Sequence, residues 1–243
     1  MNARIISPAK ANWNQELGLP LKPTSERPIL KKSPEITCLF LDIGGVILND
    51  GWDHNARRRA AKHFGFAGAE IEGRHHLCFE TYEEGKITMD EYLARVVFFE
   101  PRTFPQAEFQ EFVFAQSKAC SEMIELISQL KARYSLKILV VSNEAREVNA
   151  HRISKFYLDQ FVDAFVSSCF VHLRKPDEDI FRLALDIAQV PSEKVLYIDN
   201  TAFFVEVAES MGIHGIHHTD YLSTKSKLVE MGFDCLAESG ASS

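Results

Sequence analysis

The sequence predicts an α/β fold: a Rossmann-like parallel sheet with helices on both faces, plus an inserted helical subdomain. Three observations predict it. Short apolar runs at 36–41, 137–141, 162–167, 194–198 and 213–218 alternate with segments of helical periodicity, the pattern of strands joined by crossover helices. The first run has no polar interruption, as expected of a strand buried on both faces. Between the first and second runs lies an interval, 55–118, with no convincing strand, too long for a simple crossover.

Taken in order, residues 1–35 carry Pro8, Pro20, Pro23, Pro28 and Pro34 with basic residues between them, and read as an irregular extension. Cys38-Leu39-Phe40-Leu41 forms the first strand and delivers Asp42 to its carboxyl end, where open α/β sheets place their ligands. Gly44 and Gly45 then let the backbone turn tightly and approach a ligand. Within 55–118, the stretches 57–64, 89–99 and 106–116 read as helices. Phe98, Phe99, Phe104, Phe109, Phe112 and Phe114 are expected to form a small core of that insertion. The α/β core resumes, giving domains of 36–54 with 119–243 around the insertion. Met123, Ile124, Ile127 and Leu130 recur at helical spacing, as do Ile180, Phe181, Ala184, Leu185 and Ala188. Gly212 follows Val205, Ala208 and Met211 where a helix should stop.

The chain has 243 residues, 46% hydrophobic and 25% charged, with net charge −7, the balance of a soluble globular protein. That charge argues against nucleic-acid binding. No apolar stretch approaches the ~18 residues that would span a bilayer, and the N-terminus lacks signal-peptide features. Five scattered cysteines without a C-x-x-C pair read as reduced thiols, so a cytoplasmic location with no membrane partner is expected.

Four elements carry candidate chemistry: Asp42, Ser142-Asn143, Arg174-Lys175-Pro176-Asp177, and Asp199-Asn200. Each has an ordinary structural role open to it, as turn former, helix cap or solvated lysine. All four, however, lie at expected strand ends or in the loops that follow, and a parallel sheet brings those ends to one edge. Two carboxylates, a hydroxyl and a lysine then surround one point. Two acids can hold a hard cation such as Mg²⁺ with water and phosphate completing its shell.

The ordered set Asp42-x-Gly-Gly-Val, Ser142-Asn143, Lys175-Pro176 and Asp199-Asn200 resembles the four motifs of the haloacid dehalogenase-like hydrolase superfamily. The insertion resembles the helical cap of its subfamily I, and Glu84-Gly85-Lys86-Ile87-Thr88 is similar to a cap sequence common there. The resemblance covers roughly 36–220. It implies a Mg²⁺-dependent hydrolase of small phosphorylated metabolites, with Asp42 as nucleophile and Lys175 as its catalytic partner. It further implies phosphate binding by Ser142, Asn143 and Lys175, and metal binding by Asp42, Asp199 and the backbone carbonyl of Gly44, with Asn200 alongside.

Three positions depart from the pattern. Gly44 stands where phosphatases of the superfamily carry a second Asp as general acid–base, a group typically worth about 10²–10⁴-fold in rate. Asn200 replaces a common Asp, and Phe204 a common Asn. Asp50, Asp53 and His54 follow closely enough to be candidate substitutes. A non-catalytic phosphate-ligand or protein-interaction module is the alternative reading. Metal-free dehalogenation is disfavoured, because its enzymes resemble Asp-x-Tyr in the first motif. His63, His75, His76, His151, His172, His214, His217 and His218 lack metal-ligand spacing and read as surface or core residues.

Overall fold

The computed structural model describes residues 35–235, so the expected N-terminal extension lies, but for Glu35, outside the described residues. Five parallel strands, β1 (Cys38–Leu41), β2 (Lys137–Ser142), β3 (Ala164–Ser167), β4 (Val195–Asp199) and β5 (His214–His217), form one sheet in the order β3-β2-β1-β4-β5. Strand order reverses at β1, which sits between β2 and β4. That switch point opens a crevice at the carboxyl edge, directly beyond Leu41.

Both faces of the sheet are buried, which explains why the strands read as continuous apolar runs. Leu39, Leu41, Ile138, Val140, Leu196 and Ile198 point into one core, shared with Met123, Ile127 and Leu130 of α5 (Ser121–Tyr134). Cys38, Phe40, Leu139, Val141 and Tyr197 point into the other. There they meet Ile180, Phe181 and Ala184 of α8 (Glu178–Ala188) and Val205 and Ala208 of α9 (Ala202–Ser210). On the first face, α10 (Tyr221–Glu230) adds Leu228. Between β2 and β4 also lie α6 (Arg146–Lys155) and a short α7 (Ser168–Val171). Two strands run one residue further than the sequence pattern suggested, so Ser142 and Asp199 are themselves strand residues.

The interval after β1 folds into four helices: α1 (His54–Phe64), α2 (Gly68–Glu83), α3 (Met89–Val96) and α4 (Gln106–Ala115). They share a third apolar cluster built on Ile71, Tyr82, Tyr92, Leu93 and a fully buried Phe109, with Phe98, Phe99, Phe104, Phe112 and Phe114 packed around it. Ala145 and Val148 of the core join that cluster, so the insertion sits on the segment leading into α6. The helix α2 has no counterpart among the expected elements. Only Ile71 and Tyr82 of its sixteen residues are buried, too few for an apolar stripe to show in the sequence.

The two strands of chain that connect insertion and core are zipped together. Asn49 N donates to Lys118 O at 3.0 Å and Cys120 N to Ile47 O at 2.9 Å, while the Asn49 side chain bridges to Gln116 O and Lys118 N. Further on, the Glu84–Thr88 segment does two jobs. Thr88 caps α3 in a reciprocal box with Glu91. Gly85, at φ +66°, lets the backbone pass so close to α7 that a Cβ there would lie 2.3 Å from Cys169 O. Among the described residues, no helix is long and apolar enough to cross a membrane.

Candidate active site

Three strand ends and one loop build the site. Asp42 follows β1 and is anchored by its amide donating to Ile198 O at 3.0 Å. Asp199 ends β4 next to it, and Ser142 ends β2 on the other side, its Oγ accepting from Ile43 N at 3.4 Å. Lys175 arrives from the loop before α8. Asn143 aligns that loop by accepting from Lys175 N (2.9 Å) and donating to Lys175 O (3.0 Å). All four residues predicted to converge do so.

Lys175 is 1% exposed, and its Nζ lies 3.0 Å from Asp42 Oδ1 and 2.6 Å from Asp199 Oδ2. Burial opposes its charge, but the two carboxylates outweigh that and raise its pKa, so it stays protonated. Asp42 is 8% exposed. Burial pushes its carboxyl up to about 6, Lys175 pulls it down, and Asp199 adds to the rise. Two acids around one ammonium leave a negative charge without a counter-ion in a buried place.

That imbalance bears on metal binding. Among the described residues no group of three or more His, Cys, Asp and Glu could hold a metal ion. A cation here would be held by the two carboxylates, with water, phosphate or a backbone oxygen completing its shell, and Gly44 lines the same cavity as Asp42. Asp199 Oδ2 accepts from Lys175 and from Tyr197 Oη, and Oδ1 accepts from Thr201 N at 2.7 Å. One lone-pair direction on Oδ1 is left. An all-oxygen set with excess negative charge fits a hard divalent cation.

The position of Gly44 separates the three candidate substitutes for its missing acid. A Cβ placed on Gly44 would lie 3.3 Å from Asp50 Oδ1, so the Asp50 carboxylate already occupies the space beside it. Burial, then Asp53, raises the Asp50 pKa. Asn200 Nδ2 holds the same oxygen at 3.4 Å, giving this departure from the motif a contact of its own. Asp53 instead caps α1, accepting from Ala56 N at 2.6 Å, and His54 is turned to Glu72 at 3.2 Å.

Sequence reasoning missed the residue that holds Asp50. Arg152 of α6, 2% exposed, donates through Nη2 to Asp50 O (2.8 Å) and Asn49 O (3.3 Å), and through Nε to Ser117 Oγ (3.1 Å). It thereby grips both connections to the insertion, and its Nη1 pairs with Glu144, directly after Ser142-Asn143. Burial lifts the Glu144 carboxyl to about 7 against the pull of Arg152. An arginine on a polar helix normally reads as surface, so no local signal marks it.

The strand ends open into a cavity of about 470 Å³ whose far wall comes from the insertion and the turn before it, including Trp52, Arg57, His75, Phe79 and Tyr82. His75, set aside in the sequence, thus lines the site. Its Nδ1 lies 2.8 Å from Tyr92 Oη, and burial lowers its pKa to about 4, leaving the ring neutral. Phe204 stands 5.0 Å (ring centroid) from Lys175 Nζ. Arg174, beside Lys175, reaches across to Glu80 (3.0 Å) and Glu83 (2.8 Å) of α2.

Comparison with known proteins agrees with this fold. The chain is 24% identical over 157 residues to the sesquiterpene phosphatase astK of Aspergillus oryzae, covering 63% of this chain and 78% of that protein. It is 31% identical over 94 residues to mouse (Mus musculus) acyl-CoA dehydrogenase family member 10, covering 39% of this chain but only 9% of the relative. A HAD family enzyme from Bacteroides thetaiotaomicron, crystallised with magnesium and inorganic phosphate, superposes with a TM-score of 0.64 at 20% identity, over 74% of this chain and 93% of that one. The family model for haloacid dehalogenase-like hydrolases matches residues 36–212, most of the chain, and the protein is a member of that family.

Proposed function

We propose that the protein hydrolyses small phosphomonoesters through a covalent phosphate on Asp42. The observation that carries this reading is the buried Lys175 held between Asp42 and Asp199 at the sheet's switch point, facing the cavity. An Asp42 oxygen attacks phosphorus, the bond to the leaving oxygen breaks, and water then attacks the aspartyl phosphate to release inorganic phosphate. Lys175, the Ser142 hydroxyl and the Asn143 amide bind the phosphoryl oxygens. Asp42, Asp199 and the Gly44 carbonyl would hold Mg²⁺, which supplies charge neutralisation for the phosphoryl group.

The leaving oxygen needs a proton, and Gly44 cannot give one. Asp50 takes that role from the neighbouring loop, protonating the leaving group and then accepting a proton from the attacking water. Its place beside Gly44 and its raised pKa support the assignment. Helices α1–α4 act as a cap that shields the intermediate and selects the leaving group. The phosphatase names of relatives such as astK favour phosphorylated small molecules over haloacids. The free state of all five cysteines suits a cytoplasmic enzyme.

The alternative, a non-catalytic ligand-binding member of the fold, draws on Gly44, Asn200 and Phe204. Asp50 and its bond to Asn200 weaken that case. A phosphometabolite panel assayed with and without Mg²⁺, against Asp42→Asn, tests the proposal. Mg²⁺-dependent phosphate release lost in the variant is expected, and release that persists in Asp42→Asn would remove the nucleophile.

A further inference from the structure

We propose that this site takes phosphomonoesters whose leaving group is uncharged and ring-bearing, and that it rejects substrates with a second anionic group. The inference rests on the phosphatase reading and adds the substrate class.

Beyond the phosphate end, three cations line the cavity, and each is already matched by an acid. Arg57 is gripped by both Glu72 oxygens, with Nε to Oε2 at 2.8 Å, and its Nη1 donates to Trp52 O at 2.7 Å. Arg152 is bound to Glu144 and the two connecting segments. Arg174 is shared by Glu80 and Glu83. Asp53 lines the same space and adds negative charge. A carboxylate or second phosphate on the substrate would thus find no uncommitted cation and would face like charge, which typically costs several kcal/mol at an interface.

What the wall does offer is aromatic surface. His75 and Phe79 stack at 5.4 Å with an interplanar angle of 28°, and the Arg174 guanidinium lies 5.3 Å from the Phe79 ring. Trp52 and Phe204 add further ring faces to the lining. The His75 ring is held by Tyr92 Oη at 2.8 Å from Nδ1, and that hydroxyl also accepts from Trp52 Nε1 at 2.9 Å. Stacked, uncharged rings suit a ring-bearing leaving group without charge, such as a cyclic or aromatic alcohol.

The test compares kcat/KM for benzyl phosphate, para-carboxybenzyl phosphate and glycerol phosphate in Mg²⁺. All three release an alkyl alcohol, so differences report recognition rather than leaving-group acidity. Benzyl phosphate is expected to exceed para-carboxybenzyl phosphate by at least about tenfold, the least that a like-charge contact should impose, and glycerol phosphate by about tenfold through the ring stacking that glycerol lacks. Glu72→Gln, which frees Arg57 while keeping the side chain's shape, should pull the benzyl to carboxybenzyl ratio towards one. The double variant Glu80→Gln with Glu83→Gln, which removes both partners of Arg174, gives the same reading should the first variant not fold. Equal use of benzyl and carboxybenzyl phosphate by the unaltered protein, or a preference for glycerol phosphate, overturns the inference. If no ester is hydrolysed the phosphatase reading falls by itself, and calorimetric binding of the same three esters still decides the ligand class.

Discussion

Replacing the nucleophile should make the metal-free protein more stable. Asp42 and Asp199 share one ammonium in a place almost without solvent. Burial lifts the Asp42 pKa from 3.8 to about 6, a net result that already includes the attraction of Lys175. Because the folded value is the higher one, the native state holds the extra proton between pH 3.8 and about 6. Stability therefore falls as pH rises through that window, and the full cost is present above it. A rise of about two units is worth about 3 kcal/mol. Asparagine stands in for the protonated acid and keeps an oxygen for Lys175, so Asp42→Asn should recover most of that cost. For a chain of this size, this is a rise in Tm of roughly 6–12 °C. Thermal melts in a chelator, across acidic to neutral pH, measure it. The gain should be present at neutral pH and vanish towards pH 3.8, and Mg²⁺ should stabilise the native protein more than the variant. A variant that melts at or below the native protein in chelator at neutral pH would refute the buried-charge reasoning.

Removing Lys175 has the opposite sign: Lys175→Met leaves two buried carboxylates facing each other, and denaturant titration should show a loss of about 3–5 kcal/mol. Asp50→Asn should lower kcat on alkyl phosphates by roughly 10²-fold or more while leaving KM little changed, which steady-state kinetics reads directly; an unaffected kcat would return proton transfer to solvent. Gly85→Ala places a Cβ 2.3 Å from Cys169 O at φ +66°, so it should force α2 away from α7, lowering Tm and raising KM together.

What could be read in the sequence followed from burial on both faces of the sheet. Strands such as Leu39–Leu41 and Leu196–Ile198 alternate between two cores, so their apolar runs are continuous and the polar residues that end them stand out. Asp42, Ser142 and Asp199 were visible for that reason, and Lys175 through its place in the Arg174–Asp177 segment before a helix. The insertion was visible as an interval holding three of its four helices and their phenylalanines. Its second helix escaped because charge pairs, Arg57 with Glu72 and Arg174 with Glu80 and Glu83, help anchor it in place of a wide apolar face. Asp50, Asp53 and His54 were indistinguishable by proximity; the cap of α1 claims Asp53, and only the fold brings Asp50 against Gly44. The Arg152–Glu144 pair and the neutral His75 arise wholly from tertiary burial, which no local pattern encodes.

The most direct test of the account is chemical capture of the intermediate. Acid-quenched enzyme, mixed with excess substrate and Mg²⁺, should yield a peptide phosphorylated on Asp42 by mass spectrometry, with none in Asp42→Asn. Because Gly44 leaves the hydrolytic step to Asp50, Asp50→Asn should accumulate more of that phosphopeptide when the leaving group departs without protonation, as from an aryl phosphate. Phosphate release in the steady state with no label on Asp42, or label on another residue, would contradict the account.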